Sequence, residues 1–123
     1  MQILRKKARR AVREKRPHGY HPHFHMDNAR PHTSHVSLDA LEDLDWSRVP
    51  QAPYSPDTSP CDFHLFSNLK RGLRGIRLET EEELQAAVRR RLDLLSTGGF
   101  RRVFRDWVDR HRKVIAAGGD YFE

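Results

Sequence analysis

The stretch HMDNARPHTS, residues 25–34, is the part of this sequence that decides how the rest is interpreted. An acid and an amide, Asp27 and Asn28, stand between an alternating segment and a proline followed by hydroxyl residues. Asp27 is either a turn residue at the end of a strand or a carboxylate placed to bind a metal ion. The choice depends on whether a second carboxylate follows at a suitable spacing.

Upstream of Asp27 the sequence predicts a helix and then a strand. Apolar residues recur at offsets of three and four over residues 3–15, and the opposite face is basic, which is typical of an amphipathic helix. Residues 20–27 alternate between apolar side chains and His or Asp, as a half-buried strand does. Pro22 favours an edge position or an irregular start for this strand.

Downstream of Asp27 the sequence predicts four helices and a second short strand. The helices cover residues 33–44, 59–73, 80–95 and 100–117, and the strand covers residues 46–49. A hydroxyl at Thr33 or Ser34 caps the first of these helices, and Thr80 with Glu83 forms a capping box. The expected buried positions are Val36, Leu38, Leu41, Leu44, Phe63, Phe66, Leu69, Leu73, Val103, Phe104, Trp107, Val108 and Ile115. Two strands are marginal as an independent sheet.

The composition indicates a polyanionic partner. The net charge is +6 and the pI is near 10.0, so nucleic acid is the first candidate, with basic clusters at residues 5–16 and 70–77. Only 37% of residues are hydrophobic and 33% are charged, which favours a loosely packed or partner-dependent body. The single cysteine, Cys61, excludes an internal disulfide and a Cys-rich zinc site. No apolar run is long enough to span a membrane.

Asp62 is the candidate for the second carboxylate. Thirty-four residues separate it from Asp27, and it lies in the first turn of a helix that Ser59 and Pro60 begin. Two carboxylates at one sheet edge repel each other, and a hard divalent cation such as Mg²⁺ relieves that repulsion. An acid near a helix N-terminus also has a structural explanation in the helix dipole, so both interpretations stay open at this point.

Four segments carry a resemblance to a known family. "MDNARPHTS", "PYSPDTSPCDFHLFSNLKRGLRG", "ETEEELQAAV" and the ending "AGGDYFE" resemble, in order, the C-terminal part of mariner-type transposases of the Tc/mariner superfamily. The resemblance runs through essentially the whole chain and is strongest from Asp27 to Val88. It implies that residues 1–123 are the C-terminal portion of an RNase H-like catalytic domain, an α/β fold that is helix-rich with about two short strands.

The resemblance also implies a function and a set of ligands. Such enzymes use three acids that bind two Mg²⁺ or Mn²⁺ ions to cleave DNA and transfer the freed strand in DNA transposition. Asp27 matches the second acid and Asp62 the third, so both are expected catalytic and metal-binding residues. DNA is the expected partner, with a homodimer or a full-length transposase as further partners, and the nucleus is the expected location.

The departures from the family pattern change the expectation for activity. The family's first acid lies on a strand upstream of the helix that matches residues 3–15, and its first strands and its helix-turn-helix domains have no match here. We therefore expect a truncated copy that does not bind metal productively and is inactive alone. The alternative is a non-enzymatic remnant that binds DNA weakly and without sequence preference, or that interferes with transposase dimers.

Two further groups of residues are candidates for binding. The expected DNA contacts are Arg30, His32, Lys70, Arg71, Arg74 and Arg77. A solvated basic helix face explains the run from Lys70 to Arg77 nearly as well. The alternating histidines His21, His23 and His25 have a spacing that zinc or copper can use, although the family does not use them so and a solvated strand edge is the simpler interpretation.

Overall fold

The structure is a computed structural model that describes residues 4–121. Ile3, which belongs to the predicted first helix, and Phe122 and Glu123 of the family-like ending lie outside the described residues. The chain divides into two compact units, Met1–Pro53 and Tyr54–Glu123. Within the described range, no helix combines the length and the apolar composition needed to cross a bilayer.

The first unit contains a two-stranded parallel sheet and short helices. A π-helical segment, Leu4–Ala8, continues into α1, and the remaining elements follow in chain order. They are α1 (Arg9–Lys15), β1 (His23–His25), α2 (Arg30–Thr33), α3 (His35–Glu42) and β2 (Ser47–Val49). This order confirms the predicted helix, strand, helix and strand, with the helix after Asp27 divided into two.

The strand before Asp27 is shorter than the sequence predicted. Residues 20–27 alternate, but only His23–His25 pair with β2, with Phe24 opposite Arg48. Pro22 has no N–H to donate, and its carbonyl accepts from the Ser47 N–H at 3.2 Å where the pairing begins. Phe24 packs near Trp46, with ring centroids 6.1 Å apart. Proline therefore sets the start of the strand.

The buried face of α3 is rotated from the predicted one. Ser34 caps the helix, since its side chain accepts from the Ser37 N–H, and Thr33 ends α2 instead. Buried residues recur at Ser37, Ala40, Leu41 and Leu44, one helical stripe, so Leu41 and Leu44 were correctly predicted. Val36 is 73% exposed, so its predicted burial was wrong. The helix restarts at Ser34, where ψ is 148°, and this places Val36 outside the stripe.

The second unit is helical throughout. Its elements are a 3₁₀ turn (Pro56–Thr58), a π-helical segment (Cys61–Phe66) that continues into α4 (Ser67–Leu73), α5 (Glu81–Thr97) and α6 (Arg101–Ala116). The capping box of Thr80 and Glu83 is present, which confirms that prediction. Gly118 and Gly119 adopt φ of 71° and 96° after α6, as residues that close a helix C-terminus do.

Burial in the second unit departs from the predicted apolar stripes. Among the predicted positions only Val103 is buried, whereas Phe66, Phe104, Val108 and Ile115 are exposed, Ile115 by 77%. A helix buries its apolar stripe only where another element covers it, and helical spacing does not report whether that element exists. The buried residues before Asp62 are instead polar: Asp57, Thr58 and Ser59.

Arg91 makes a close contact between α4 and α5. Its Nε lies 3.4 Å from the Asn68 carbonyl oxygen, and its side chain covers Gly72. A Cβ at Gly72 would lie 2.4 Å from that Nε, so a larger residue there requires Arg91 to move.

Candidate functional site

Asp27 lies two residues after β1 and its carboxylate is held by the turn that follows. Its Oδ1 accepts the Ala29 N–H at 3.0 Å and lies 2.5 Å from His32 Nδ1. The Ala29 N–H and then His32 lower the pKa of the Asp27 carboxyl below its ordinary value. Asp27 is thus a turn residue and also an exposed, ionised carboxylate, so the two interpretations of the sequence do not exclude each other.

A second set of hydrogen bonds holds the side chains of His25 and Asn28, which lie on either side of Asp27. The Asn28 amide donates to the Gln51 carbonyl oxygen at 2.6 Å and accepts from Arg48 Nη2 at 3.0 Å. His25 Nε2 lies 2.7 Å from Gln51 Oε1. These contacts connect the residues that flank Asp27 to β2 and the segment after it. No sequence pattern indicated Arg48 or Gln51, because their roles depend on the parallel pairing of β1 with β2.

Asp62 lies in the first turn of the π-helical segment and its side chain is exposed. Its N–H donates to the Ser59 carbonyl oxygen at 3.0 Å, and its own carbonyl accepts from Ser67 Oγ at 2.6 Å. The backbone at Asp62 is therefore held at both its N–H and its carbonyl, while the carboxylate faces solvent. This placement agrees with the prediction that Ser59 and Pro60 begin a helix with Asp62 in its first turn.

Two side chains of α6 hold the turn that precedes Asp62. Trp107 Nε1 donates to the Thr58 carbonyl oxygen at 2.6 Å, and Arg110 Nη1 donates to the Asp57 carbonyl oxygen at 3.0 Å. The Arg110 guanidinium also lies 4.1 Å from the centre of the Phe63 ring. The sequence indicated Trp107 only as an apolar residue and did not indicate a role for Arg110. Their polar roles link residues about fifty positions apart, which no local pattern reveals.

Cys61 is a half-buried free thiol next to Asp62. Burial, and secondarily the Asp62 charge, raise the pKa of the thiol above its ordinary value. A thiol that stays protonated is a poor nucleophile and a poor metal ligand.

The three alternating histidines do not come together. His21 Nδ1 lies 3.1 Å from Asp45 Oδ2, and His25 contacts Gln51, so they have separate partners. Across residues 4–121 there is no group of three or more His, Cys, Asp or Glu side chains arranged to hold a metal ion. The described residues therefore do not form the zinc or copper site that the spacing allowed.

The residues predicted to contact DNA are all exposed, but two have partners. His32 is bonded to Asp27, and Arg77 Nε lies 3.3 Å from Glu79 Oε1. The remaining four are Arg30 in the first turn of α2, and Lys70, Arg71 and Arg74 at the end of α4. Exposed cations at these positions are suited to contacts with phosphate, and their role in DNA binding stays a prediction.

The carboxylates of Asp27 and Asp62 are ligands of the type that Mg²⁺ or Mn²⁺ prefers, but two carboxylates are too few for a complete two-metal site. Ionised oxygen ligands suit these ions, and Asp27 supplies one whose Oδ1 already accepts two hydrogen bonds. Holding two ions requires more ligands than two separate carboxylates, and the described residues contain no group of three.

Comparison with known proteins identifies two relatives by sequence. The chain is 32% identical over 119 residues to the mariner Mos1 transposase of Drosophila mauritiana, which covers 93% of this chain and 34% of that protein. It is 31% identical over 97 residues to the histone-lysine N-methyltransferase SETMAR of Homo sapiens, which covers 79% of this chain and 14% of that protein. The chain thus spans 34% and 14% of the lengths of these two relatives. No protein-family model matches it.

Solved structures show the same likeness. The Mos1 mariner paired end complex with Mn is similar with a TM-score of 0.85 and 32% identity, over 93% of this chain and 34% of that one. The Mos1 transposase catalytic domain with Raltegravir and Mg is similar with a TM-score of 0.79 and 30% sequence identity, over 99% of this chain and 59% of that one. These similarities confirm the predicted helix-rich, RNase H-like fold class with a short two-stranded sheet.

Proposed function

This chain is a homologue of mariner transposases, and we propose from that relationship that it corresponds to the C-terminal portion of their catalytic domain. The observation that carries the proposal is the similarity to Mos1 over 93% of the chain, at 32% identity in sequence and a TM-score of 0.85. The associated reaction is metal-dependent cleavage of DNA and strand transfer in DNA transposition. DNA is accordingly the proposed substrate.

In this proposal Asp27 and Asp62 are the second and third of the family's metal-binding acids. The support is their spacing, the family-like segments around each, and the local geometry. Asp27 is ionised and oriented by Ala29 and His32, and Asp62 is exposed on a backbone held by Ser59 and Ser67. A divalent ion, when bound by a full set of acids, supplies charge stabilisation at the reacting phosphate. Asp27 and Asp62 supply anionic oxygen ligands.

We infer that these 123 residues alone do not cleave DNA, because the set of acids is incomplete. The test is nicking of supercoiled DNA in Mg²⁺ or Mn²⁺ by the purified chain, compared with an Asp27→Ala, Asp62→Ala double variant. The expected result is the same background level for both proteins. Cleavage by the parent chain that the double variant loses would contradict the inference and assign catalysis to the two carboxylates.

A second candidate function is non-enzymatic DNA binding, which the exposed cations at the end of α4 support. Binding through phosphate contacts falls steeply with salt and does not depend on sequence. Replacing Lys70, Arg71 and Arg74 with Gln is expected to weaken binding more than replacing Arg101, Arg102 and Arg105, a matched control with equal charge loss on α6. Equal weakening by both sets would show that net charge, and not this surface, determines affinity.

Partners and location follow from the same proposal. A transposase remnant of this kind would associate with a second copy or with a full-length transposase, and it would act in the nucleus, where its DNA substrate is. Size-exclusion chromatography with light scattering tests self-association, and fluorescence microscopy of a tagged chain tests nuclear accumulation. If the chain is a monomer at all concentrations, the hypothesis that it interferes with transposase dimers by self-association is contradicted.

A further inference from the structure

The first unit contains a cleft that neither carboxylate lines. It has a volume of about 530 Å³ and lies between α1, the loop of residues 17–22 and the residues that precede β2. Cavities of roughly 300–1,000 Å³ are the usual size for small-molecule sites. The cleft is therefore large enough for a ligand of nucleotide size.

One face of α1 gives this cleft a strong positive charge. Arg9, Arg13 and Arg16 line it and recur at i, i+4 and i+7, which places the three guanidinium groups along one side of the helix and the segment that follows it. No ion pair within residues 4–121 engages any of the three. Like charges at this spacing destabilise a helix, so a bound anion would relieve their repulsion.

The acids near this face are used elsewhere. Glu14, the acid of α1, pairs with Arg10 at 2.7 Å, and Asp43 pairs with Arg5. Asp45 is the acid that lines the cleft, and it lies 3.1 Å from His21 Nδ1. Three guanidinium groups thus face one carboxylate that already has a partner, and the cleft has an excess of positive charge whatever the state of its histidines.

Two aromatic side chains complete the cleft. Tyr20 and Trp46 line it, and Tyr20 is half-exposed with the Arg16 guanidinium 5.6 Å from its ring centre. Guanidinium groups bind phosphate through paired N–H donors, and aromatic rings stack on nucleic-acid bases. An acidic peptide would use the cations but has no need of the two rings.

We propose that this cleft is a binding site for a phosphate ester of a nucleotide. Arg9, Arg13 and Arg16 bind the phosphate oxygens, and Tyr20 and Trp46 contact the base. The ligand is either a free nucleotide or a nucleotide within a DNA strand, since both present the same chemistry. The proposal does not depend on metal ions, on Asp27 or Asp62, or on the transposase relationship.

The test uses the whole 123-residue chain and the indole N–H signals of its two tryptophans. Titration with inorganic pyrophosphate, with thymidine monophosphate and with a ten-residue oligothymidine is followed by ¹H–¹⁵N NMR. A saturable shift of the Trp46 signal, with the Trp107 signal unchanged, is expected with thymidine monophosphate or the oligonucleotide, and a smaller one with pyrophosphate. Binding of the mononucleotide assigns a free nucleotide as sufficient, and binding of the oligonucleotide alone assigns the strand.

Matched variants separate a site from general attraction. Replacing Arg9, Arg13 and Arg16 with Gln is expected to weaken the affinity for the nucleotide at least tenfold. Replacing Lys6, Lys7 and Lys15 with Gln removes the same charge from the same helical segment without touching the cleft, and is expected to change affinity less than twofold. Circular dichroism verifies that both variants fold. If one variant does not fold, the titration of the parent chain, with its Trp46 signal, still tests the proposal. Equal weakening by both sets, or no saturable shift of Trp46, would overturn the proposal.

Discussion

The charge of Asp27 depends on two donors that belong to the turn after it. The Ala29 N–H is the larger cause of its lowered pKa and His32 is the second. Because folding lowers this pKa, the ionised carboxylate contributes stability at pH values above the unfolded-state pKa of about 4, and that contribution is lost as the pH falls through the folded value. The turn should therefore loosen in acid.

At this residue we predict that His32→Ala raises the pKa of Asp27 without restoring it to its ordinary value, because the Ala29 N–H still donates. Carbon-detected NMR titration of the Asp27 carboxyl measures the midpoint. His35→Ala is the control, since it removes an exposed imidazole that lies three residues after His32 and does not contact Asp27. An unchanged midpoint in His32→Ala would show that the His32 contact contributes nothing.

The thiol of Cys61 provides a second prediction at the scale of one residue. Burial is the first cause of its raised pKa and the Asp62 charge the second, so Asp62→Asn is expected to lower the pKa only in part. The rate of alkylation with iodoacetamide as a function of pH reports the thiolate. Asp93→Asn removes the same charge from an exposed position on α5 and should leave the profile unchanged. A profile in Asp62→Asn identical to that of the parent chain would rule out the electrostatic contribution.

In the first unit, the orientation of helix α3 determines which of its side chains contribute to stability. In α3 the buried residues are Ser37, Ala40 and Leu41, followed by buried Leu44 just past the helix, while Val36 is exposed. Leu41→Ala is expected to lower the free energy of unfolding by about 2–5 kcal/mol, because it leaves a cavity. Val36→Ala, an apolar truncation on the same helix, should stay within about 0.5 kcal/mol. Urea unfolding of both variants is the measurement, and similar losses would place Val36 in the core.

The same helix shows what the sequence could and could not predict. The hydroxyl cap, the helix itself and the burial of Leu41 follow from local rules, and so does the Thr80–Glu83 capping box. The restart at Ser34 does not, because Arg30 to Thr33 form a separate turn whose position depends on Asp27. A rotation of about one residue was then enough to exchange Val36 for Ser37 in the buried stripe.

At the scale of the whole chain, the two-stranded sheet is the part that we expect to be least protected from hydrogen exchange. β1 has one paired neighbour within residues 4–121, so its other edge has backbone N–H and C=O groups with no strand partner there. We predict early hydrogen exchange at residues 20–27 and later exchange at residues 59–73. Mass spectrometry of the dilute chain measures both segments. Strong protection of residues 20–27 in a monomer would contradict this, and protection that appears only at high concentration would indicate pairing with another chain.

The limits of sequence reasoning for the whole chain have one physical cause. Asp27 and Asp62 were predicted as ligands from their spacing and the family-like segments around them, and that assignment stays a prediction. Arg48, Gln51 and Arg110 were not indicated, because each makes its hydrogen bond with a residue far away in sequence. The exposed apolar face of α6 was missed for the related reason that periodicity identifies an apolar stripe but not the element that would cover it.

The contact of Trp107 with Thr58 also sets an order of events during synthesis. Pro56–Thr58 is translated before Trp107 and Arg110, which lie 49 and 53 residues after their partners, and at about 5–20 residues per second this interval is on the order of several seconds. Throughout that interval the nascent turn lacks both donors, although Asp62 and its helix have already been translated. The local geometry at Asp62 is therefore completed only after translation has passed residue 110, so a ribosome that stalls within α5 holds a chain in which that geometry has not yet formed.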